Sequence, residues 1–457
     1  MKTTTTLVSR LSDSVQGIGK LILAAGIIAS ISTGCKKDDN NNTTPTPGVD
    51  INIQDSITSN TTWTANNKYI LNGFVYVTNG ATLTIEAGTL ITGDKASKGS
   101  LIIKRGSKII AAGTVADPIV FTSNLAMGSR APGDWGGIIV CGNAPVNLAG
   151  GEGLVEGGPD AYYGGNDAAD NSGIISYVRI EFAGIAFQPN QEINGLTLGA
   201  VGTGTQIDHV QVSYSGDDSF EFFGGTVNAK YLVTYKGQDD DYDTDNGFSG
   251  HIQFAVAQRD PNIADASGSN GFESDNDAAG SANSPFTAVK FSNISIYGPK
   301  ADTSTAVNSN FKRAAHIRRN SQCSIYNSVI AGFPVGLLVD GTSTEGNATN
   351  NLLQFRNNII SGCNTPLAVA SGSTFDINAW FTTSGYNNTI QYDNSNLAND
   401  PFNTTTPDFL PKTGSPLLSG ADFTGLTGFE TVTYRGAFGT TNWTSGWTNF
   451  NPQNTDY

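Results

Sequence analysis

Acidic residues recur at matched positions between residues 208 and 277. Glu221 aligns with Asp243, 22 residues later, and with Glu273, 30 residues after that, and an aromatic residue precedes each of the three. Short apolar-alternating runs that end in glycine separate these positions, so the repeating unit is a strand followed by an acidic turn. Units of this kind stack as successive coils of a β-solenoid, which would place the acidic turns on one side of the molecule.

Stacked carboxylates repel one another unless cations or water relieve the charge. Only three bases, Lys230, Lys236 and Arg259, accompany them in this stretch. Calcium is bound by roughly six to eight oxygen ligands, mostly carboxylates and carbonyls, so the stretch predicts a calcium-binding face. The candidate metal ligands are Asp217, Asp218, Glu221, Asp239, Asp240, Asp241, Asp243, Asp245, Glu273, Asp275 and Asp277.

The aspartates at alternate positions from Asp239 to Asp245 would share one face of an extended strand. They resemble the start of a calcium loop, but the glutamate that completes an EF-hand is missing, because Gly250, His251 and Ile252 stand in that region. A solvated acidic surface without a metal is the alternative interpretation.

Two kinds of catalysis on acidic polysaccharide also fit acidic clusters. Gly216-Asp217-Asp218 and Gly250-His251 resemble motifs of β-helix polygalacturonases, in which paired carboxylates act as acid and base, although Ile252 replaces the expected second glycine. A polysaccharide lyase would need a cation and an arginine or lysine base. The only dense basic cluster is Lys312, Arg313, Arg318 and Arg319.

The elements that position these residues are predicted to be strands. The 457 residues include 54 glycines and only 2 methionines, which favours an all-β, turn-rich chain. From Trp63 onward apolar residues alternate over four to six positions, so one side of each strand is buried. Glycine spacings such as the 21 residues from Gly216 to Gly237 indicate coils of that length with insertions. The acid- and glycine-rich segment 151–173 breaks the alternation and predicts a long, functional loop.

The N-terminus is predicted to be a targeting segment. An apolar run over residues 21–31 is too short to span a bilayer, which takes about 20 residues. It ends in Ser-Thr-Gly-Cys, which resembles a lipobox with Cys35 as the lipidated residue, and the following KKDDNNN resembles a surface-export signal. We therefore expect a signal peptide over residues 1–34 and a flexible linker over 35–60, with Ser56 as a candidate O-glycosylation site.

The other predicted segments are a parallel β-helix over residues 61–400 and a terminal coil and cap over 401–457. Trp443 and Trp447 belong to an aromatic cluster that we expect to cover the open apolar end of the solenoid. Cys141, Cys323 and Cys363 are an odd number, and buried free thiols are favoured over a disulfide.

Several blocks resemble a known family. They include TLTIEAGT, GDWGG, SYVRIEFAGI and VSYSGDDSFEFFGGTVNAKYLV. They are similar to surface-exposed lipoproteins of Bacteroidota that carry a pectate-lyase-like domain. The resemblance implies an all-β, single-stranded right-handed parallel β-helix with long loop insertions and a C-terminal aromatic cap. It also implies a lipid-anchored place on the outer membrane, and it implies no particular activity.

Two functional hypotheses remain at the sequence level. One is a non-catalytic, calcium-stabilised scaffold or binding module for a glycan or a surface protein, and the other is a calcium-dependent polysaccharide lyase or glycoside hydrolase. A net charge of −15 argues against nucleic-acid binding, which needs a basic surface. Contact with the membrane is predicted through the lipid anchor only.

Overall fold

Short, mostly parallel strands are the main regular elements of the computed structural model, which describes residues 48–188 and 191–457. The predicted signal peptide and Cys35 lie outside the described residues. In chain order the strands of the first half are β1 (Asp50–Ile53), β2 (Thr61–Trp63), β3 (Lys68–Leu71), β4 (Phe74–Val77), β5 (Thr82–Ile85), β6 (Leu90–Gly93), β7 (Ser100–Ile103), β8 (Lys108–Ala112), β9 (Ile119–Ser123), β10 (Ile138–Cys141), β11 (Gly153–Leu154), β12 (Tyr162–Tyr163), β13 (Gly173–Glu181), β14 (Ala186–Gln188), β15 (Gln191–Glu192), β16 (Leu196–Gly199) and β17 (Gln206–Ser213).

The second half continues the same pattern and adds two short helices. Its strands are β18 (Phe220–Phe223), β19 (Ala229–Tyr235), β20 (Tyr242–Asp245), β21 (His251–Gln258), β22 (Phe272–Ser274), β23 (Lys290–Tyr297), β24 (Arg313–Ile317), β25 (Ser324–Tyr326), β26 (Val329–Ala331), β27 (Val335–Val339), β28 (Phe355–Arg356), β29 (Ile359–Ser361), β30 (Thr365–Val369), β31 (Thr389–Gln391), β32 (Ala398–Asp400) and β33 (Asp408–Pro411). The helices are α1 (Thr342–Thr349) and α2 (Ile377–Phe381), and 3-10 turns occur at Ala149–Gly151, Pro416–Leu418 and Pro452–Asn454.

Each coil of the chain crosses three faces, and every face is a ladder of parallel strands. Face one has the strand order β4-β7-β10-β16-β18-β20-β22-β24-β27-β30. Face two runs through β2, β5 and β8 and then through the first halves of β13, β17, β19, β21 and β23 to β25 and β28. Face three runs through β1, β3, β6 and β9, then through the second halves of the same long strands to β26, β29 and β31. The predicted parallel β-helix is confirmed.

The bend between faces two and three is made by residues with left-handed backbone. The aligned residues are Tyr177, His209, Tyr231 and Phe254, followed by Asn293, Asn327, Asn357 and Asn387, all with φ between 50° and 58°. Asparagine tolerates this conformation better than other residues with a side chain. The aromatic members stack instead, with ring centroids 4.2 Å apart for Tyr177 and His209 and 4.4 Å apart for His209 and Tyr231.

The core lies inside the coils, where every second residue of each strand points inward. Leu83 and Ile85 of β5, for example, are 0% and 2% exposed. Trp135 is also fully buried and donates a hydrogen bond from Nε1 to the Glu181 carbonyl at 2.8 Å, so it is a packing residue. Cys141, Cys323 and Cys363 are buried free thiols, which confirms that expectation.

The solenoid begins earlier than the predicted boundary at residue 61. β1 pairs with β3 in parallel, and Ile57 forms an isolated bridge with Val77 of face one. Residues 50–57 therefore belong to the first coil rather than to the linker. Ser56 is exposed in this coil, and its glycosylation stays a prediction.

The aromatic C-terminal segment packs along the side of the solenoid and does not cover its end. Gln253 exchanges two hydrogen bonds with the backbone of Glu430, and Gln211 exchanges two with the backbone of Asn449, all at 2.8 Å. The segment thus runs back across face three toward the N-terminal coils. The physical reason is that face three is apolar on its outer side as well, where Val233 and Val256 cluster with Trp447.

Helix α2 covers the C-terminal end instead. Its Trp380 and Phe381 belong to the same apolar cluster as the interior of the coils, and Phe381 lies 5.8 Å from the ring of Phe355 in β28. In the part of the chain that the structure describes, no helix is both long and apolar enough for a membrane span.

Candidate functional site

Face one carries a column of polar residues on its outer side. Glu221 of β18 is in register with Asp243 of β20, then with Glu273 of β22 and His316 of β24. Neighbouring parallel strands lie about 4.8 Å apart, so the register places these side chains one above another. The alignment predicted from the sequence spacing is confirmed for the three acidic residues.

The turns that enter these strands add a second set of carboxylates. Asp218 and Asp240 precede β18 and β20, and the Asp240 N–H donates to Asp218 Oδ1 at 2.8 Å. Asp240 accepts in turn from the Asn270 N–H at 2.5 Å. Each turn therefore fixes the carboxylate of the coil before it, which holds the acidic side chains in place.

Carboxylate oxygens come within 4.8 Å of one another in three groups. The groups are Asp217 with Asp218 and Asp239, Asp218 with Glu221 and Asp243, and Asp240 with Asp243 and Glu273. Because Asp218 and Asp243 each belong to two groups, the three form one continuous cluster. Its spacing lets a metal ion bridge several carboxylates at once.

The cluster forms the floor of a cleft of about 360 Å³, which we call the acidic cleft. The loop after β11 supplies Glu156, β15 supplies Glu192, and the loop after β21 supplies Asp265 and Ser267. The eleven acidic residues that line the acidic cleft are Glu156, Glu192, Asp217, Asp218, Glu221, Asp239, Asp243, Asp245, Asp265, Glu273 and Asp275. Arg318 and Arg319 are the only bases among its lining residues in the described chain.

Burial and mutual repulsion make these carboxylates hard to ionise. The pKa is raised well above its ordinary value, first by burial and then by neighbouring carboxylates, at Asp217, Asp218, Glu221, Asp240 and Asp243. Burial also raises the pKa of Asp239 to about 6 and that of Asp245 to about 7. Such shifts favour the neutral acid unless a cation compensates the charge.

Two carboxylate oxygens at the centre of the cleft have no hydrogen-bond donor within the described residues. They are Glu221 Oε1 and Asp243 Oδ1, and the Glu221 side chain is only 3% exposed. A buried acceptor without a donor costs roughly 1–3 kcal/mol. Hard oxygen donors that lack protein partners and point into one cluster suit a hard cation such as Ca²⁺.

The end of the cleft near β24 is already neutralised by protein groups. Arg318 pairs with Glu273 and also donates from Nε to Asp275 at 2.7 Å, while Arg319 Nη1 donates to the same Asp275 at 2.6 Å. Burial alone would raise the pKa of Glu273, but a hydrogen bond from His316 and the arginine charges outweigh it and lower that pKa. The uncompensated charge therefore lies around Asp218, Glu221 and Asp243.

Three predicted metal ligands are not among the residues that line the acidic cleft. Asp241 is fully buried and accepts from Arg259 Nη1 at 3.0 Å and from Thr234 Oγ1 at 2.7 Å. Asp277 forms hydrogen bonds within its own loop, where its Oδ1 accepts from the Ser281 N–H at 3.0 Å. Asp240 sits behind the floor, within reach of Asp243 and Glu273.

Sequence reasoning did not single out Glu156, Glu192 and Asp265 as ligands. The acid-rich composition of the 151–173 loop was the available signal for Glu156, and a functional role of that loop stays a prediction. His251 does not join the acidic residues, because it begins β21 on face two and stacks on Phe429 at 4.9 Å. The resemblance of Gly250-His251 to a polygalacturonase motif therefore has no counterpart in the geometry.

The fold and the cleft define a class: a parallel β-helix protein with a buried acidic cluster on the outer side of one face. Residues 55–448 match the model of the pectate-lyase like β-helix domain family, and the chain belongs to that family. A comparison with curated proteins found no significant match.

Proposed function

We propose that the acidic cleft binds calcium and that the protein acts as a calcium-stabilised, non-catalytic β-helix module that binds acidic glycans. The observation that carries the proposal is the buried, unpartnered Glu221 Oε1 within a cluster whose carboxylates are raised in pKa. Asp218, Glu221 and Asp243 would hold the ion, and Asp217 and Asp239 lie close enough to extend the ligand set.

A cation would remove the main electrostatic cost of the cleft. Eleven acids face two arginines there, and both arginines already form ion pairs at one end. Calcium accepts flexible carboxylate geometry and keeps coordination positions for further oxygen ligands. The cleft is open to solvent, so those positions would be accessible to the carboxylate or hydroxyl groups of a glycan.

The alternative is an enzyme that acts on the same substrates, a lyase or a glycoside hydrolase. One observation favours it: the pKa values of Asp239 and Asp245, about 6 and about 7, suit a general acid or base near neutral pH. Binding is favoured because the two cationic side chains that line the cleft are engaged by Glu273 and Asp275.

Calcium binding is tested by thermal unfolding at fixed ionic strength. We expect millimolar Ca²⁺ to raise the melting temperature over that in EDTA, because a hundredfold excess over the dissociation constant stabilises the folded state by about 2.7 kcal/mol. Mg²⁺ should substitute poorly. Glu221→Gln should remove the shift, whereas Asp456→Asn, at an exposed site, should keep it. Identical melting of the native protein in Ca²⁺ and EDTA would exclude the site.

Glycan binding and catalysis are separated by one further measurement. Acidic and neutral oligosaccharides are incubated with the protein in Ca²⁺ and in EDTA, and both retention and released products are followed. Calcium-dependent retention without new products supports the binding module. Formation of unsaturated or reducing ends that is lost in Asp239→Asn supports the enzyme.

The location of the protein is part of the proposal and rests on sequence patterns. Lipidation of Cys35 would anchor the chain to the outer membrane, and the acidic stretch after it would direct it to the cell surface. The first coil begins at Asp50, so a short segment would separate the anchor from the solenoid.

A further inference from the structure

A second cleft lies on a different side of the molecule, between face two and the C-terminal segment. It encloses about 420 Å³, a volume within the usual range of small-ligand sites. One side of this cleft is formed by two columns of side chains, the first with Lys290, Ser324 and Gln354 and the second with Tyr326 and Arg356. The loop 424–426 forms the opposite wall. We call it the basic groove.

The parallel register builds the basic groove from three successive coils. Lys290 of β23 is paired with Ser324 of β25, and Tyr326 of β25 is paired with Arg356 of β28. The Gln354 N–H donates to Ser324 Oγ at 2.9 Å, which joins the third coil to the second. Strands therefore hold Lys290, Ser324, Tyr326 and Arg356, and Gln354 directly precedes a strand.

Neither cation of the basic groove has an acidic partner among the described residues. Neither the Lys290 ammonium nor the Arg356 guanidinium forms a hydrogen bond or an ion pair with any residue in the ranges 48–188 and 191–457. Arg356 Nε is buried without an acceptor, and the guanidinium lies over the Tyr326 ring, 5.1 Å from its centroid. The stacking fixes the plane of the guanidinium while leaving its N–H groups unused.

The surroundings select for a negative group next to polar ones. No acidic residue is among those that line the basic groove in the described chain, although the net charge of the protein is −15. Asp422, on the adjoining segment, accepts a hydrogen bond at Oδ1 from the Thr424 N–H at 2.8 Å. Leu352 is 51% exposed at the edge and offers an apolar contact.

We infer that the basic groove binds an anionic sugar residue, whose carboxylate or sulfate contacts Arg356 and Lys290 while its hydroxyls face Ser324 and Gln354. A guanidinium pairs with a planar carboxylate or a sulfate through parallel hydrogen bonds. This site is separate from the acidic cleft and needs no metal ion. It would let one glycan chain, or two, contact two sides of the solenoid.

The test is isothermal titration calorimetry of the full chain in EDTA. The probes are methyl glucuronide, glucose 6-sulfate, neutral methyl glucoside and inorganic sulfate. We expect the anionic sugars to bind at least about tenfold more tightly than methyl glucoside, as one charge-assisted hydrogen bond predicts. Inorganic sulfate should bind more weakly than glucose 6-sulfate.

The variants are matched in charge and position. Arg356→Gln and Lys290→Gln should each weaken binding of the anionic sugars by about tenfold or more. Lys108→Gln should not, although Lys108 also begins a strand of face two. Glu221→Gln should leave this binding unchanged, which separates the groove from the acidic cleft. Melting temperatures of all variants in EDTA confirm that they are folded.

Three results would overturn the inference. The first is the absence of saturable binding of either anionic sugar to the native chain. The second is an equal effect of Lys290→Gln and Lys108→Gln, which would indicate only a general charge effect. The third is inorganic sulfate binding as tightly as glucose 6-sulfate, which would leave an anion site without a sugar.

Discussion

Asp241 and Asp243 are two positions apart, yet their surroundings are opposite. Asp241 is fully buried and paired with Arg259, while the charged groups around Asp243 include the carboxylates of Asp218 and Glu273. A paired carboxylate stabilises the fold, and an unpaired one in an acidic cluster destabilises it. The two residues should therefore respond to neutralisation in opposite directions.

The first prediction compares Asp241→Asn with Asp243→Asn. Asp241→Asn leaves Arg259 buried and unpaired, so it should lower stability by roughly 3–5 kcal/mol in both Ca²⁺ and EDTA. Asp243→Asn relieves repulsion, so it should raise the melting temperature in EDTA and weaken the response to Ca²⁺. Thermal unfolding of both variants in both buffers measures this. Equal losses of stability in the two variants would contradict the assignment.

The second prediction concerns pH in the absence of calcium. The folded-state pKa values of the acidic cluster are raised, to about 6 for Asp239 and about 7 for Asp245, mainly by burial. Between the unfolded and folded pKa values the folded protein holds more protons. Its free energy of unfolding therefore falls as pH rises through that window. The melting temperature in EDTA should fall by several degrees from pH 5 to pH 8.

Other titratable groups have little effect on how the free energy of unfolding changes between pH 5 and pH 8. Glu273 and Asp277 have lowered pKa values, so their contribution is lost only as pH falls below the range measured. Burial lowers the pKa of His251, so this one group makes the free energy of unfolding rise with pH and partly offsets the fall. Calcium should reduce this fall of the melting temperature with pH. A melting temperature in EDTA that does not change between pH 5 and pH 8 would contradict raised pKa values in the acidic cluster.

At the scale of elements, the C-terminal segment is held by side-chain amides. Gln211, Gln253 and Asn327 each exchange two hydrogen bonds with a residue of the segment. The indole of Trp447 is 1% exposed and meets Tyr177 and His209 edge-on. The segment thus completes face three over several coils.

The third prediction follows for Trp447→Ala. It should cost about 3–5 kcal/mol, as truncation of a buried tryptophan does, whereas Tyr392→Ala, at a 68% exposed ring, should cost little. Hydrogen exchange should increase in β13, β17 and β19, which lie under the segment. An increase confined to β29 and β31 would instead support a cap over the last coil.

At the scale of the whole molecule, the two clefts differ in charge. The acidic cleft concentrates negative charge on face one, and the basic groove places two free cations on face two. The two sites therefore present opposite charges on different sides of one rigid solenoid. A protein held at a surface by its N-terminus would expose both to polymers in the surrounding medium.

The fourth prediction is that Cys35→Ser releases the protein from membranes. The reason is that acyl chains contribute about 0.8 kcal/mol for each buried CH₂ group, and their loss removes the anchor. Fractionation and intact-mass measurement of both forms provide the check. A variant that stays in the membrane fraction with an unchanged mass would refute the lipid anchor.

The sequence by itself determined the coils and the acidic column. Alternating apolar residues predict strands with one buried side, and parallel stacking without a register shift converts the spacing of Glu221, Asp243 and Glu273 into vertical neighbours. These features depend on local pattern and on one repeat, so they can be read along the chain.

Only the tertiary structure decided which acids share the cleft and where the C-terminal segment lies. A corner of the coil turns Asp241 toward Arg259 instead of the cleft, and long loops bring Glu156 and Glu192 to its wall. The C-terminal segment follows face three because strands such as β19 and β21 are apolar on both sides. These outcomes depend on contacts between residues up to 325 positions apart, such as Arg130 with Thr455, and no local pattern specifies them.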